Sequence, residues 1–380
     1  MIRLLMLFIL GLVLGSGSVR ADSAFPAHRV AGNTYYVGSK ELASYLITTP
    51  EGHFLINSSF DETVPLIRGA VESLGFKLRD VKYLLASHAH SDHVEGHFKL
   101  RELTGAKVLV MEGDADVVRN GGERQYLYVD SRWAKCPVDR VLKDGDTVSL
   151  GGVTLTARHT PGHTRGCTTW TWQETVDGKP LHVVVIGSPN VNPGYRLIDN
   201  RDYPTIVDDY RQTFATLKSL PCDVFLGAHG NYYDMHAKHE RLEKQTGDNS
   251  FIDPAGYRAY VALKEATFLK KLADQQAGPI DEAAAAEQLR KAGAEVKLTQ
   301  GVVTDVTVKD LAKFTDNDFE VLGRLVNLKT LSTSGEALND RTLSYLTGLV
   351  ALEDLSTNLA QFSDDALWQL TMLSNLKQIK

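Results

Sequence analysis

Directly after the strand-like run Val81–Ala86 the chain reads Ser87-His88-Ala89-His90-Ser91-Asp92-His93, so four potential metal ligands leave one strand end together. Few sequence features restrict a fold as much. A straight strand sends alternate residues to only two faces, whereas a loop at its end lets neighbouring residues point toward different metals. Neutral imidazoles and a carboxylate are the ligand set that zinc accepts. The density of ligands therefore points to clustered metal binding where a strand ends.

Two further histidines occupy turns that each follow a β-type run: His163 in Thr160-Pro161-Gly162-His163-Thr164, and His229 in Leu226-Gly227-Ala228-His229-Gly230. They bring the candidate ligands to six. From Thr34 to about Gly230, strands are predicted at Tyr35–Val37, Tyr45–Ile47, Phe54–Ile56, Val81–Ala86, Lys107–Met111, Val153–Arg158, Thr168–Gln173, Val183–Ile186 and Val224–Leu226, with helices at Glu62–Leu74 and Ile206–Lys218. This alternation is that of a layered α/β domain. Lys143-Asp144-Gly145-Asp146 reads as a tight turn between strands. Asp253-Pro254 is an N-cap followed by proline in the first turn, opening a long helix toward Ala277 that Gly278-Pro279 ends.

With its His-x-His-x-Asp-His motif and the two later histidines, the sequence resembles the metallo-β-lactamase superfamily. The resemblance implies an αββα sandwich with a dinuclear zinc site at one edge of its sheets. Carried over position by position, it implies His88, His90 and His163 for a first zinc and Asp92, His93 and His229 for a second. The superfamily includes thioesterases of the glyoxalase II kind, lactonases, phosphodiesterases and β-lactamases. Glyoxalase-like members place a metal-bridging Asp after the strand that here reads Val183-Val184-Val185-Ile186-Gly187, and this chain has Ser188 there. Subclass B3 β-lactamases use Ser at that place and take His, as His93 here, for the second zinc. Stretches similar to subclass B3 are Glu112-Gly113-Asp114-Ala115, Gly121-Gly122-Glu123, Val138–Asp146, Pro193–Leu197 and Ser219–Val224, and the resemblance covers roughly Ala31 to Gln276. The chain departs from it at Ser188-Pro189-Asn190-Val191-Asn192, where the family often has two serines, and it lacks the cysteine that commonly pairs with the counterpart of Cys222.

The mechanism so implied is attack on the lactam carbonyl by a hydroxide shared between two zincs, without a covalent enzyme intermediate. Asp92 is then both a ligand and the catalytic acceptor that orients the hydroxide. Ser188 and Asn190 are candidate contacts to a substrate carboxylate, directly or through water, although turn residues are equally suited to a structural role. His97 is expected as a solvated residue on a helix flank, with a place behind the ligands as the alternative. His159, His236 and His239 read as surface residues or as supports behind the ligands. Tyr126, Tyr128 and Trp133 form either an apolar wall over the metals or a packed loop.

Beyond Gly278 the character of the chain changes. Phe314, Leu338 and Phe362 are 24 residues apart, and Asp316/Asp340/Asp364, Leu322/Leu346/Leu370, Leu325/Leu349/Leu373, Leu328/Leu352/Leu376 and Leu331/Leu355/Ile379 keep the same register. A 24-residue period with the frame Leu-x-x-Leu-x-x-Leu resembles leucine-rich repeats, each a strand plus a helix that buries its apolar face against its neighbours. Val302–Val308 is a degenerate first strand in this reading, and a plain helix bundle is the alternative. The predicted fold class is therefore α/β: an αββα sandwich over residues 22–278, then a small α/β leucine-rich-repeat solenoid over residues 279–380. Residues 300–380 offer a surface for a protein partner or a homodimer.

Residues 1–21 read as a secretory signal, with Arg3, the apolar stretch Leu4–Leu14 and the small-residue cleavage site Val19-Arg20-Ala21. A periplasmic or secreted protein without a stable membrane span after cleavage is expected. Cys136, Cys167 and Cys222 allow at most one disulfide and read as buried small hydrophobes. Lys+Arg 41 against Asp+Glu 47, with net charge −6 and no basic run, argues against a nucleic-acid partner. The expected activity is that of a zinc-dependent β-lactamase with two Zn2+ per chain and a small-molecule β-lactam substrate. The alternatives are a zinc hydrolase of another ester, lactone or thioester, and an interaction protein that uses the repeat tail.

Overall fold

Strands that are apolar on both sides need both faces of their sheet covered. The computed structural model describes residues 23–123, 125–128, 131–192, 194–244, 249–310, 313–333, 345–346, 348–357, 373 and 375–379. The signal-type segment at residues 1–21, Pro193, and the repeat positions Leu338, Asp340, Phe362, Asp364 and Leu370 lie outside the described residues.

A first sheet runs in chain order through β1 (His28–Ala31), β2 (Thr34–Tyr36), β3 (Tyr45–Thr49), β4 (Gly52–Ile56), β5 (Val81–Leu85), β6 (Lys107–Met111) and β7 (Arg140–Leu142). The pairs from β1 to β4 are antiparallel, and those from β4 to β7 parallel. A second sheet holds β8 (Thr147–Leu150), β9 (Val153–His159), β10 (Thr168–Val176), β11 (Lys179–Ile186) and β12 (Val224–Gly227), with only β11 and β12 parallel. Lys143–Asp146 is the tight turn by which the chain crosses from the first sheet to the second; Lys143 N donates to Asp146 Oδ2 at 3.1 Å.

The period of two along each strand sorts the side chains between two cores. Tyr45, Ile47, Phe54, Ile56, Leu85, Leu109 and Met111 join Leu155, Ala157, Trp170 and Trp172 between the sheets. Their neighbours Leu46, Leu55, Leu84, Val108 and Val110 turn to the opposite face. There they meet Val64, Ile67 and Val71 of α1 (Val64–Ser73), Leu100 of the helix His97–Thr104, and Val117 and Val118 of the helix Ala115–Arg119. In chain order these helices are α1, α2 (Ser91–Val94), α3 (His97–Thr104) and α4 (Ala115–Arg119). The second sheet is covered by α5 (Ile206–Ser219), through Tyr210, Phe214 and Leu217, and by α7 (Pro254–Gln276), through Tyr257, Val261, Phe268 and Leu272; α6 (Met235–Glu243) precedes α7. The result is four layers, αββα. Asp253 caps α7 as expected, its carboxylate accepting from Gly256 N at 2.8 Å.

Residues after 278 build a separate core. It comprises α8 (Glu282–Lys291), β13 (Ala294–Thr299), β14 (Val302–Val308), α9 (Asp316–Gly323), β15 (Thr330–Thr333), β16 (Asp354–Ser356) and β17 (Gln378–Ile379). From β14 onward the strands are parallel, and Leu331 pairs with Leu355 and Leu355 with Ile379, a register of 24 residues. Leu322, Leu325, Leu328, Leu346, Leu349 and Leu352 are buried beneath them. All three cysteines are free thiols, with Cys136 and Cys167 buried and Cys222 half-buried. No helix among the described residues is long and apolar enough to cross a membrane.

Candidate metal centre

The candidate ligands lie where strands end. β5 runs through the core to Leu85, and the loop after it carries His88 and His90 into α2, whose first turn holds Asp92 and His93. His163 lies between β9 and β10, and His229 follows β12. Gly162 makes the turn before His163 with φ +124°, where a Cβ would come within 2.7 Å of the Tyr210 ring. Asn57, just past β4, adopts the left-handed region at φ 63°, which asparagine tolerates. From there its Oδ1 accepts from Ser87 N at 2.9 Å, and its Nδ2 lies 3.3 Å from His93 Nδ1.

All six predicted ligand residues are brought together. Ligand atoms of His88, His90 and His163 lie within 4.8 Å of one another, and so do those of His88, Asp92 and His93. His93 Nε2 is 3.2 Å from His229 Nε2 and 3.2 Å from Asp92 Oδ2, which is 3.7 Å from His229 Nε2. The rings of His88 and His163 meet edge to face at 4.6 Å.

The protonation states suit metal binding, which requires neutral imidazole and ionised carboxylate. Burial, reinforced by the neighbouring imidazoles, holds His88 and His90 well below the ordinary histidine value. Burial pushes His163 down to about 4 against the opposing hydrogen bond to Asn190. Burial works against the ionised form of Asp92, yet His93 and the other imidazoles hold it well below the carboxylate range. His163 Nδ1 donates to the Asn190 carbonyl at 2.9 Å, which leaves its Nε2 without a proton. His88 Nε2 is buried with no hydrogen-bond partner. An orphaned ring nitrogen inside a cage of imidazoles and a carboxylate is what a zinc ion would satisfy, so the residues fit that metal.

Asp114 went unread as a functional residue. Only 2% exposed, its carboxylate accepts from Ala89 N at 2.8 Å, Thr164 Oγ1 at 2.7 Å and Gly166 N at 2.8 Å. One side chain thus ties the loop between His88 and His90 to the turn beyond His163. The only sequence signal was its place in the Glu112-Gly113-Asp114-Ala115 stretch.

His97 is not the solvated residue expected. It is 0% exposed, and its Nδ1 donates at 2.6 Å to Ser58 Oγ, which in turn donates to the His93 carbonyl. His239, expected at the surface or behind the ligands, is buried against Phe25 and His28. His236 lies half-buried with Nε2 2.9 Å from the Lys40 carbonyl, and His159 Nε2 lies 2.7 Å from the Arg165 carbonyl. Ser188 is 2% exposed, with its Oγ 3.0 Å from Tyr232 OH, and Asn190 Nδ2 donates to the same hydroxyl at 2.9 Å. Tyr128 stands edge-on to His90 at 5.0 Å and so walls the centre, whereas Trp133 packs with the core on the other face of the first sheet. Tyr126 accepts from Asn200 Nδ2 at 2.8 Å and Arg196 N at 3.1 Å, which docks this loop on residues 194–200.

Four αββα layers with an imidazole–carboxylate cluster at the strand ends define a metal-dependent hydrolase. The chain belongs to the metallo-β-lactamase superfamily, whose family model matches residues 43–176. FEZ-1, a metallo-β-lactamase from Legionella gormanii, is similar at 44% identity with a TM-score of 0.66, covering 68% of this chain and 99% of that one. BJP-1, a subclass B3 metallo-β-lactamase of Bradyrhizobium japonicum, is similar at 35% identity with a TM-score of 0.64, covering 67% of this chain and 97% of that one. The hydroxyacylglutathione hydrolase of Hyphomonas neptunium is 38% identical over 80 residues, which is 21% of this chain and 25% of that curated relative's length.

Proposed function

We propose that this chain is an exported zinc β-lactamase that opens the β-lactam ring of antibiotics. The observation that carries the reading is the convergence of six donor side chains in a chain 44% identical to a metallo-β-lactamase over 99% of the latter's length. His88, His90 and His163 would hold one zinc, and Asp92, His93 and His229 a second. When bound, such a pair supplies Lewis-acid polarisation and lowers the pKa of a coordinated water toward about 7.

Hydrolysis adds water across the amide bond, the hydroxyl going to the carbonyl carbon and the proton to the departing nitrogen. Asp92 stays ionised at neutral pH and accepts a hydrogen bond from the attacking water, which fixes its direction. Asn190 orients His163 through its carbonyl, and its side chain, with Ser188, is the candidate contact to the substrate carboxylate. Tyr128, held by a 2.8 Å bond from Asn192 Nδ2, limits the access of bulk water to His90.

The match to a hydroxyacylglutathione hydrolase favours a second reading, a thioester hydrolase. Ser188, where such enzymes carry a bridging Asp, weighs against it. The test is hydrolysis of a penicillin, a cephalosporin and a carbapenem by the zinc-loaded mature chain, repeated after chelation and after zinc is restored. Turnover lost and regained with zinc supports the β-lactamase reading. No turnover with two zincs bound moves the substrate to another ester, lactone or thioester.

Export to the periplasm or beyond follows in this reading from cleavage after residue 21, leaving a hydrolase domain over residues 22–278. Residues 279–380 form a leucine-rich-repeat-type unit for a protein partner or a homodimer, a reading supported by the 24-residue parallel register. A chain purified without metal and insensitive to chelation would instead favour an interaction protein acting through this tail.

A further inference from the structure

The C-terminal end of α7 grips the loop that holds one candidate metal ligand, and the same stretch of helix carries the tail. Each residue turns an α-helix by about 100°, so Lys271 and Gln275 share one stripe and Lys270 and Asp274 the next. Lys271 Nζ donates to the Val191 carbonyl at 2.7 Å. Gln275 binds the same loop in both directions: its Oε1 accepts from Leu197 N at 2.6 Å and Ile198 N at 3.3 Å, and its Nε2 donates to the Tyr195 carbonyl at 2.8 Å. That loop in turn holds His163 from two sides. Tyr195 OH donates to the His163 carbonyl at 2.6 Å, and the carbonyl of Asn190, next to Val191, accepts from His163 Nδ1 at 2.9 Å. Tyr195 is buried, so a shift of the loop strands its hydroxyl instead of exchanging it for water.

The neighbouring stripe meets the tail. Lys270 Nζ lies 3.0 Å from Asp274 Oδ2 and 3.2 Å from Glu320 Oε2 of α9. Just past α7 the Gly278 carbonyl accepts from Nη2 of Arg324 at 3.2 Å, and Arg324 directly follows α9. These polar contacts join two units whose apolar cores share no residue.

We propose that Lys271 and Gln275 are positioning residues for His163, and that the tail tightens metal binding by bracing the helix that carries them. The contacts run from Glu320 and Arg324 to α7, then to the loop through Val191 and Tyr195, and end on His163. The inference rests on the metal-binding part of the proposed function and is independent of the substrate. A donor residue already held in its binding geometry gives up less freedom when metal arrives, so loosening any link weakens metal affinity without touching a donor atom. Linkage makes the effect reciprocal, and zinc loading holds the tail more firmly against α7.

Zinc affinity of the full chain, read by competition with a chromophoric chelator, tests each link. Gln275→Met keeps the length of the side chain and loses its bonds to Tyr195, Leu197 and Ile198; it is expected to weaken zinc binding about tenfold. Gln275→Glu keeps the bonds from Leu197 N and Ile198 N and recovers part of that loss, and it serves in place of Gln275→Met if that variant does not fold. Glu320→Lys sets two ammonium groups against each other in a half-exposed pair and is expected to cost about threefold. In a chain already carrying Lys271→Met and Gln275→Met, Glu320→Lys has no further effect, because the tail then has nothing to act through. The Co2+-loaded chain gives a second readout, its ligand-field absorption bands shifting in Gln275→Met. Lys218→Met removes the ion pair to Glu265 earlier on α7 and leaves affinity and bands as in the wild type. Wild-type affinity and bands in Gln275→Met overturn the positioning role. A Glu320→Lys loss that is absent, or that persists undiminished in the Lys271→Met and Gln275→Met background, overturns the part given to the tail. A wild-type chain that binds no zinc overturns the proposal together with the metal reading, whereas the expected zinc pattern without β-lactam turnover supports the proposal and counts against the β-lactamase reading alone.

Discussion

Replacing Asp114 is the sharpest perturbation of the metal centre that leaves every candidate ligand in place. Three buried donors, Ala89 N, Thr164 Oγ1 and Gly166 N, point at its carboxylate from 2.7 to 2.8 Å. Each buried donor left unsatisfied costs about 1–3 kcal/mol, so Asp114→Ala has a ceiling of about 3–9 kcal/mol. Part of this is returned, because burying the carboxylate is itself unfavourable and raises its pKa. A net loss of about 3–5 kcal/mol is expected. Asp114→Asn keeps one oxygen, which can serve Ala89 N and Thr164 Oγ1 together since both now reach Oδ2, but its amide nitrogen then faces Gly166 N. That variant should lose about 1–3 kcal/mol. Urea unfolding of the zinc-free chain reads the stability, and competition with a chromophoric chelator reads zinc affinity, expected to weaken about tenfold or more because both loops of the His88, His90 and His163 set are released. An Asp114→Asn variant with the unfolding midpoint and zinc affinity of the wild type would refute the clamp.

Asp92→Ala should lower both zinc content and turnover, measured by metal analysis and β-lactam hydrolysis; full turnover with two zincs bound would exclude the role given to Asp92. Burial lowers His28 to about 4 and His97 to about 3 from an ordinary 6.5, so the unfolded chain binds more protons in acid. The stability these two histidines confer is complete above about pH 6.5 and is lost as the pH falls toward their folded values, on the order of 2 kcal/mol each by pH 5. Urea midpoints of the zinc-free chain that do not change between pH 7.5 and 5 would contradict this. Light scattering of the full chain against one ending near Gly278 tests the tail, with a dimer expected only in the full chain; monomers in both would remove self-association from its functions.

Much of the sandwich is legible residue by residue. Lys107–Met111 is a strand with the predicted ends, and α5 and α7 run close to their predicted bounds, since apolar period and capping are local properties. β1, β7 and β8 were not anticipated. Each is three or four residues long and carries exposed positions such as Arg29 and Arg140, so its extended state comes from the strand it pairs with. The 24-residue period was visible as spacing alone, and it reappears as the register between β15, β16 and β17.

By its own residue types and spacing the sequence determined which side chains can bind metal, where most strands begin and end, and the period of the tail. Tertiary structure alone decided that His97 is buried behind His93 and that Asp114 clasps two ligand loops. Ligand chemistry and periodicity reside in a residue and its near neighbours. Burial and partnership are set by chain segments far apart in sequence, and they exist only once the layers have packed.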